Sequence, residues 1–297
     1  MERTFCVCLS HDVDRIKKTF QFFTHFFSGL KHMDLQAAFY HIRSLVHTSH
    51  YWNFEKIMEL EKNLGVTSTF FFLNETYPFR PWKLPSWRLS LGYYNIFEPR
   101  LKTVIKELDA GGWEVGLHGS YLSFKNTNLL KKEKRDLEEI LGHPVFGIRQ
   151  HYLNLDEQTW QLQADAGFTY DASFGYSDDI GFKEAKYCAF APLPSRSFWV
   201  VPLALMDSCV MKKEDPLGAT IKIIDLAEEK GACLVLNWHQ RMFNEKEFPG
   251  YQEMYLRTIE ECLKRKADFL TIGGYVAKYS DGLDPSLDDC SGQIREK

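Results

Sequence analysis

Short apolar segments that alternate with amphipathic helical segments constrain the fold of this chain more than any other feature. The apolar segments are residues 5–9, 66–73, 113–117, 145–148, 168–170, 198–201, 232–236 and 269–271. Helical spacing of apolar residues predicts helices over residues 98–110, 127–141, 156–166, 216–230 and 250–265, and a last helix from Gly274. Because strands that alternate with helices pair in parallel, the sequence predicts an α/β chain with a closed or nearly closed barrel.

No linker divides the sequence, so we expect a single domain over residues 1–280 with a polar tail at 281–297. A helical insertion is predicted at about residues 16–64. The insertion carries apolar residues at helical spacing, namely Phe20, Phe23, Phe27 and Leu30. We interpret this stripe as packing against the core or against another copy of the chain, rather than as a helix on a membrane surface. The sequence therefore allows the chain to form a homo-oligomer.

Composition and charge exclude several functional classes. With 44% hydrophobic and 26% charged residues, the chain has enough apolar material for a sizeable core. A net charge of −4 argues against nucleic acid as a partner. No apolar run has the length of a transmembrane segment, and no secretory signal precedes the first predicted strand. Seven cysteines at irregular spacing are typical of reduced thiols, so we predict a cytoplasmic protein.

Titratable side chains follow the predicted strands. They are Asp12, Asp14, His118, Arg149, His151, Tyr152, Asp171 and His239. The carboxyl ends of parallel strands share one rim of a barrel, and titratable groups collected there are typical of an active site. Asp12 and Asp14 would repel each other unless a cation or a shared proton compensated them, which favours a metal ligand beside a base. The alternative is a helix cap before a helix that begins near Arg15.

The motifs at these strand ends resemble those of the polysaccharide deacetylase family, carbohydrate esterase family four. The resemblance extends from about residue 5 to residue 279 and is closest to a divergent cytosolic branch found near bacterial surface-polysaccharide genes. Its motifs are His11-Asp12-Val13-Asp14, Ser68-Thr69-Phe70-Phe71, residues 114–121, Arg149-Gln150-His151-Tyr152, Tyr170-Asp171-Ala172-Ser173 and Asn237-Trp238-His239. The resemblance implies a distorted (β/α)7 barrel as the fold of this α/β chain.

The resemblance also implies a divalent-metal hydrolase that removes an acetyl group from an amino sugar or a sugar ester. Asp12 matches the general base of the family, and Asp14 matches its metal-binding aspartate. His118 matches the first metal-binding histidine. Arg149 matches the arginine that orients the base, and His239 matches the histidine that acts as general acid.

The expected cofactor is a divalent metal ion, and zinc is the ion that we expect before any other. Three nitrogen or oxygen ligands and an open position let such an ion lower the pKa of a bound water to about 7. Asp12 would take the proton of that water, and protonated His239 would give a proton to the leaving group. The developing oxyanion would face the ion and a donor near Tyr152.

The chain departs from the family at the second motif. Four positions after His118 it has Leu122, where the family has its second metal-binding histidine. In the third motif it has His151, where the family has proline. We therefore predict Asp14, His118 and His151 as the metal ligands. Alternatively, His151 hydrogen-bonds the substrate or a neighbouring carboxylate, and His11 is a further candidate, although alternation points it away from the aspartate pair.

Four other residues are predicted to support the site or to contact the substrate, namely Tyr152, Asp171, Ser120 and Trp238. No nucleophile elbow surrounds Ser120, so we interpret it as a turn or supporting hydroxyl rather than a nucleophile. The loop at residues 74–97 carries aromatic residues that either stack on sugar rings or pack the loop, namely Trp82, Trp87, Tyr93 and Tyr94.

The sequence thus predicts a metal-dependent deacetylase that acts on a carbohydrate in surface-polysaccharide biosynthesis, with a nucleotide-activated or lipid-linked glycan as one form of the substrate. Two alternatives stay open. The same site could hydrolyse another non-peptide C–N bond, or the protein could be a catalytically silent glycan-binding component.

Overall fold

The computed structural model describes residues 5–18, 51–77, 79–83, 93–193 and 197–279, with positions 22, 26, 27, 30, 31, 33, 35, 39, 40, 86 and 89. Much of the predicted insertion, including Phe20 and Phe23, lies outside these residues, as do Trp87 and the predicted tail at 281–297. Within the insertion Phe27 is 64% exposed and Leu30 is 40% exposed, so the predicted packing against the chain's own core does not hold for these two residues.

Strands and helices alternate along the described chain. The strands are β1 (Cys6–Val13), β2 (Ser68–Leu73), β3 (Glu114–Gly119), β4 (Gly147–Gln150), β5 (Tyr170–Asp171), β6 (Trp199–Val200), β7 (Leu203–Met206), β8 (Cys233–Asn237) and β9 (Asp268–Phe269). The helices are α1 (Phe54–Leu64), α2 (Pro99–Ala110), α3 (Thr127–Leu141), α4 (Thr159–Asp165), α5 (Asp207–Val210), α6 (Pro216–Lys230), α7 (Tyr251–Lys264) and α8 (Ile272–Tyr279).

The described strands form a single parallel sheet in the order β6-β5-β4-β3-β2-β1-β8-β7, and β9 pairs with the first residues of β1. A parallel bridge joins Gly175, after β5, to Leu203 in β7. Since these residues lie near opposite ends of the strand order, the bridge shows that the sheet curls back on itself. The architecture is a distorted α/β barrel, and the predicted fold class is confirmed.

Alternation along β1 separates an interior face from a face toward the helices. Cys6 and Cys8 belong to the apolar cluster inside the barrel, whereas Val7 and Leu9 belong to the cluster between sheet and helices. His11 continues the second face, because it is fully buried and one ring nitrogen lies 2.7 Å from Glu61 of α1. Asp12 therefore continues the interior face at the carboxyl end of the strand.

The predicted elements and the observed ones differ most between residues 198 and 207. The sequence predicts one strand at 198–201, but the structure has β6 and then β7, with Pro202 between them. Proline lacks a backbone N–H and interrupts a ladder, which explains why the predicted strand ends before Pro202 and why β7, which was not predicted, begins after it. The missed strand has a consequence, because Asp207 directly follows it.

The oxidation state of one cysteine also differs from the expectation. Cys6, Cys8, Cys209, Cys233 and Cys262 are free and buried, but Cys188 is disulfide-bonded. The expectation of reduced thiols throughout is therefore wrong at Cys188. Among the described residues, no helix is both long and apolar enough to cross a membrane.

A buried carboxyl supports the end of β3. Glu133 of α3 is fully buried, and its carboxyl group accepts the backbone N–H of Ser120 at 3.2 Å. Burial raises the pKa of Glu133 to about 8, against the hydrogen bonds from Ser120 and with help from the charge of Glu75. The folded chain therefore holds a proton on Glu133 at neutral pH.

The stability of the fold should decrease as pH rises, because of Glu133. The ordinary pKa of the group is 4.5 and the folded value is about 8, so the folded state binds more protons between these values and loses stability as pH rises through them. We expect Glu133→Gln to remove a pH dependence on the order of a few kcal/mol, since each pKa unit is worth about 1.4 kcal/mol. Urea unfolding at several pH values measures it. The control is Glu139→Gln, on the exposed face of α3, which should leave the change of unfolding free energy with pH as it is in the wild-type protein. If both variants show the same change of unfolding free energy with pH, Glu133 is not its source.

Candidate active site

Asp12 is a buried carboxylate with two fixed hydrogen bonds. Its Oδ1 accepts from Nη1 of Arg149 at 2.9 Å, and its Oδ2 accepts from the side-chain amide of Asn237 at 2.7 Å. Burial favours the neutral acid, but the charges of Arg149, His118 and His239 together outweigh burial, so the pKa of Asp12 is lowered. No helix begins at residue 15, and Asp12 lies within β1, so the alternative interpretation as a helix cap is wrong.

Arg149 is held rigidly at the end of β4. The side chain is fully buried, its Nε donates to the carbonyl of Ala172 at 2.9 Å, and Nη1 also donates to the hydroxyl of Ser10 at 2.8 Å. The guanidinium lies 4.6 Å from the ring centroid of Phe71. These contacts fix the direction in which Arg149 presents its charge to Asp12.

The two oxygens of Asp14 have different surroundings. Oδ2 accepts a hydrogen bond from Nη1 of Arg241 and lies 3.6 Å from Nε2 of His239. Oδ1 is buried without a hydrogen-bond partner among the described residues, and it lies 3.3 Å from Nε2 of His118 and 3.8 Å from Nε2 of His151. Burial opposes the charge of Asp14, but Arg241 above all holds its pKa well below the ordinary value. A charged, unpartnered oxygen thus faces two imidazoles.

His118 is oriented by the backbone. Its Nδ1 lies 2.9 Å from the carbonyl oxygen of Arg149, and a carbonyl can only accept. Nδ1 therefore carries the proton in the neutral ring, and the lone pair of Nε2 points toward Asp14. A histidine whose other nitrogen donates to a carbonyl is typical of metal-binding histidines.

His151 reaches the same place from a strained turn. It begins a 3-10 turn, His151–Leu153, in which Tyr152 has φ 60° and Leu153 has φ 54°. Left-handed backbone costs non-glycine residues on the order of 1–2 kcal/mol each and is common at functional sites. The ring of Tyr152 stacks on His151 with centroids 4.3 Å apart. Burial lowers the pKa of His151 to about 3, so the imidazole is neutral, the form that binds metal ions.

The donor atoms of Asp14, His118 and His151 fit a divalent cation. One ligand atom from each residue lies within 4.8 Å of the others. Tetrahedral zinc with bonds of about 2.0–2.1 Å needs ligand atoms roughly 3.3–3.4 Å apart, close to the separations of 3.3 and 3.8 Å given above. The unpartnered Oδ1 of Asp14 is a further sign that this residue has a ligand. Leu122, at the position of the family's histidine, is 47% exposed.

His239 is paired with a residue that the sequence analysis did not identify. Its Nδ1 and its backbone N–H lie 2.8 and 2.6 Å from Oδ2 of Asp207, which is fully buried. Burial works against the imidazolium, but the carboxylates of Asp207 and Asp14 together outweigh it and raise the pKa of His239. Asp207 lies at the carboxyl end of β7, as the other site residues lie at or near the carboxyl ends of their strands, so recognising that strand would have identified it.

These side chains line a cavity of about 580 Å³ at the carboxyl end of the barrel. Its lining includes Asp12, Asp14, Arg15, Tyr51, Tyr93, His118, His151, Tyr152, His239 and Arg241, with apolar residues such as Leu73, Met206 and Phe248. The volume is in the range of pockets that hold small molecules. Arg241 has no sequence signal, because it lies in a turn and no pattern distinguishes it from other arginines.

Three predicted supporting residues do not line this cavity. Asp171 accepts hydrogen bonds from Ser173 and Gln163, and Trp238 donates from its ring to the carbonyl of Tyr251. Ser120 is buried, and its backbone N–H donates a hydrogen bond to Glu133. The structure places all three where they can support strand ends, and it places Tyr152 at the cavity itself.

The aromatic loop contributes differently at each described position. Tyr93 lines the cavity. Tyr94 is a packing residue, since its hydroxyl donates to the carbonyl of Val13 at 2.6 Å and accepts the N–H of Leu73 at 2.7 Å. Trp82 is 80% exposed and does not line the cavity.

No family model matches the chain, and no curated protein matches its sequence significantly. Its fold is similar to a solved structure from Pseudomonas aeruginosa PAO1 classified as a polysaccharide deacetylase, with TM-score 0.59 and 15% identity over 96% of this chain and 94% of the other. The fold is also similar to a solved structure from Mycobacterium smegmatis classified as a polysaccharide deacetylase, with TM-score 0.58 and 16% identity over 92% of this chain and 89% of the other. The chain has the polysaccharide deacetylase fold.

Not every protein with the deacetylase fold is an enzyme. A pseudoenzyme of carbohydrate esterase family four from Bacillus anthracis also resembles this chain, with TM-score 0.50 and 10% identity over 93% of this chain and 66% of the other. At such identities the similarity shows the deacetylase fold and nothing finer. The family fold predicted from the motifs is confirmed, and the roles of the residues depend on the geometry of the site.

Removal of His151 tests the ligand set. We expect His151→Ala to lower the affinity for zinc or cobalt by at least about 100-fold, because it removes one of three protein ligands. Metal titration followed by cobalt absorption measures this change. His143→Ala is the matched control, since His143 is an exposed histidine paired with Asp109 outside the cavity. Unchanged metal affinity in His151→Ala would show that another residue completes the site.

Proposed function

We propose that this chain is a divalent-metal-dependent hydrolase that removes an acetyl group from an amino sugar or sugar ester in surface-polysaccharide biosynthesis. The observation that carries the proposal is the convergence of Asp14, His118 and His151 beside a base, Asp12, and an acid, His239. Nitrogen and oxygen ligands at tetrahedral spacing favour zinc. A cation bound there supplies a water of lowered pKa and polarises the acetyl carbonyl.

Asp12 is the general base of this proposal. It is ionised at neutral pH, because Arg149 lowers its pKa, and Oδ2 lies 4.0 Å from Nε2 of His118. The carboxylate can therefore accept the proton of the attacking water beside the three ligands. Arg149 and Asn237 hold the carboxylate in place, so the proton is accepted without reorganisation of the base.

His239 is the general acid. The Asp207 carboxylate holds Nδ1 and raises the pKa of the ring, which favours the imidazolium, the form in which Nε2 carries a proton for the leaving group. Nε2 lies 3.6 Å from Asp14, beside the candidate metal ligands. His239 can then donate its proton to the nitrogen or oxygen that leaves the acetyl group.

Two other functions use the same residues. Hydrolysis of another non-peptide C–N bond needs the same base, acid and ligands. A silent glycan-binding role is favoured by one specific observation, the hydrogen bond of Arg241 to Asp14, because a cationic side chain on a metal ligand weakens its interaction with an ion. The similarity to a pseudoenzyme fits this role as well.

The proposal also covers where in the cell the protein acts and in which chemical form it takes its substrate. The free cysteines Cys6, Cys8, Cys209, Cys233 and Cys262 fit a reducing cytoplasm, although the disulfide at Cys188 does not. A cytoplasmic enzyme would act on a nucleotide-activated or lipid-linked glycan rather than on the mature polymer. Fractionation of cells that express the tagged full chain tests the location.

Asp12→Asn tests the reaction. The metal-loaded protein should release acetate from N-acetylated sugars or sugar nucleotides, and the variant should be at least about 100-fold slower because it cannot accept the proton. Its metal content should not change, which separates loss of the base from loss of the ion. Asp179→Asn, an exposed aspartate paired with Lys213, is the control. Absence of metal binding in the wild-type protein would refute both hydrolase functions and leave the silent one.

Asp207→Asn tests the acid through the pH profile. An acid works only while protonated, so activity should fall as pH rises through the raised pKa of His239. Loss of the Asp207 charge lowers that pKa, and the alkaline limb of kcat/KM should move to lower pH. We also expect kcat at neutral pH to fall by about 10- to 100-fold. An alkaline limb that does not move would show that His239 is not the acid.

A further inference from the structure

Two arginines lie beside the candidate metal ligands in the same cavity. Arg15 directly follows Asp14 at the end of β1, and Arg241 lies in the turn after β8. The side-chain amide of Gln240 donates to the backbone carbonyl of Arg15, which ties the two turns together. Arg241 is only 20% exposed and keeps one of its nitrogens on Asp14. Arg15 is half-buried and Arg241 is held on Asp14, and both residues line the cavity.

The two cations are close enough to affect each other. Both side chains line the same cavity, and Arg241 donates a hydrogen bond to Asp14, the residue that directly precedes Arg15. Two guanidinium groups that line one cavity can both donate hydrogen bonds to the same anion. Such a pair is the kind of site that binds phosphate or carboxylate groups.

The charges in the cavity lining support the same conclusion. Among the described lining residues other than histidines, Asp12 and Asp14 are acidic, and Arg15 and Arg241 are basic. These charges balance without any ion. A divalent cation on Asp14, His118 and His151 would leave a net positive charge in the cavity, which a neutral sugar does not compensate and an anionic one does.

A further hydrogen-bond donor belongs to a residue of the cavity lining. The hydroxyl of Tyr93 is buried in the lining and has no hydrogen-bond partner among the described residues. A buried hydroxyl without a partner is costly, and an oxygen atom of a ligand would satisfy it. The cavity of about 580 Å³ has room for a sugar ring together with a charged substituent.

We propose that the acetylated sugar carries a negatively charged group, a phosphate or a carboxylate, and that Arg15 and Arg241 bind this group. Arg241 has five N–H donors, so it can keep its hydrogen bond to Asp14 and still donate to the anion. The identity of the ligand as an acetylated sugar rests on the proposed function, whereas binding of its anionic group does not require turnover.

Binding measurements on the full chain, metal-free and zinc-loaded, test the proposal. The probes are N-acetylglucosamine, its 1-phosphate, and an N-acetylated hexuronate. We expect both anionic sugars, or one of them, to bind at least about ten-fold more tightly than the neutral sugar, with a preference that weakens as salt increases. The tighter of the two anions identifies the charged group as phosphate or carboxylate.

Arg15→Gln is the decisive variant. It should lower the affinity for the preferred anionic sugar by about ten-fold or more and leave the affinity for the neutral sugar unchanged. Arg15→Lys should retain part of the preference, because it keeps the charge without the planar fork. The matched control is Lys17→Gln, which removes a positive charge from a half-exposed residue paired with Glu98 outside the cavity. Thermal unfolding of each variant shows whether the fold is intact.

Three results would overturn the proposal: equal affinity for neutral and anionic sugars, no binding of either anion, or an equal loss of affinity for all probes in Arg15→Gln. Acetate release separates this proposal from the function on which it rests. Anion binding that depends on Arg15, without acetate release, retains the anion site and refutes the hydrolase. Equally fast release from neutral and anionic sugars retains the hydrolase and refutes the anion site.

Discussion

The burial of two carboxylates at the end of β1 is the constraint on which the rest of the site depends. Asp12 and Asp14 are two residues apart, and each would be neutralised or expelled from the barrel without a cation. Arg149, from β4, compensates Asp12, and Arg241, from the turn after β8, compensates Asp14. Strand β8 is the neighbour of β1, but β4 lies three strands away, so the ion pair of Arg149 with Asp12 joins strand ends that are not adjacent in the sheet. The curl of the sheet is therefore a condition for the assembly of the site.

Much of the fold could be predicted from the sequence, because the signals for it are local. The helices at Thr127–Leu141 and Pro216–Lys230 coincide with the predicted ranges, since apolar periodicity, caps and a following glycine mark both ends. Strand ends such as His118 and His239 were predicted for the same reason. The short β7 could not be predicted, because four residues after a proline carry no periodicity that separates them from a loop. Asp207 was missed with it.

The partners of the site residues are harder to predict than the residues themselves. Arg241 meets Asp14 across a sequence separation of 227 residues, and nothing local in its turn marks that contact. His151 was predicted only because a family motif was incomplete at Leu122. The structure shows how His151 reaches the cavity. Left-handed backbone at Tyr152 and Leu153 turns the chain sharply after β4, and the ring of Tyr152 packs on His151.

Asp14 connects metal binding to recognition of the substrate. One oxygen is free to face the imidazoles only because the other is held by Arg241, and the same guanidinium withdraws charge from the carboxylate that would bind the ion. An anion on Arg241 reduces that withdrawal, so it strengthens cation binding at Asp14. Coupling between two ligands is reciprocal, so the cation must strengthen anion binding by the same factor. A site of this construction favours the combination of metal and anionic sugar over either one alone.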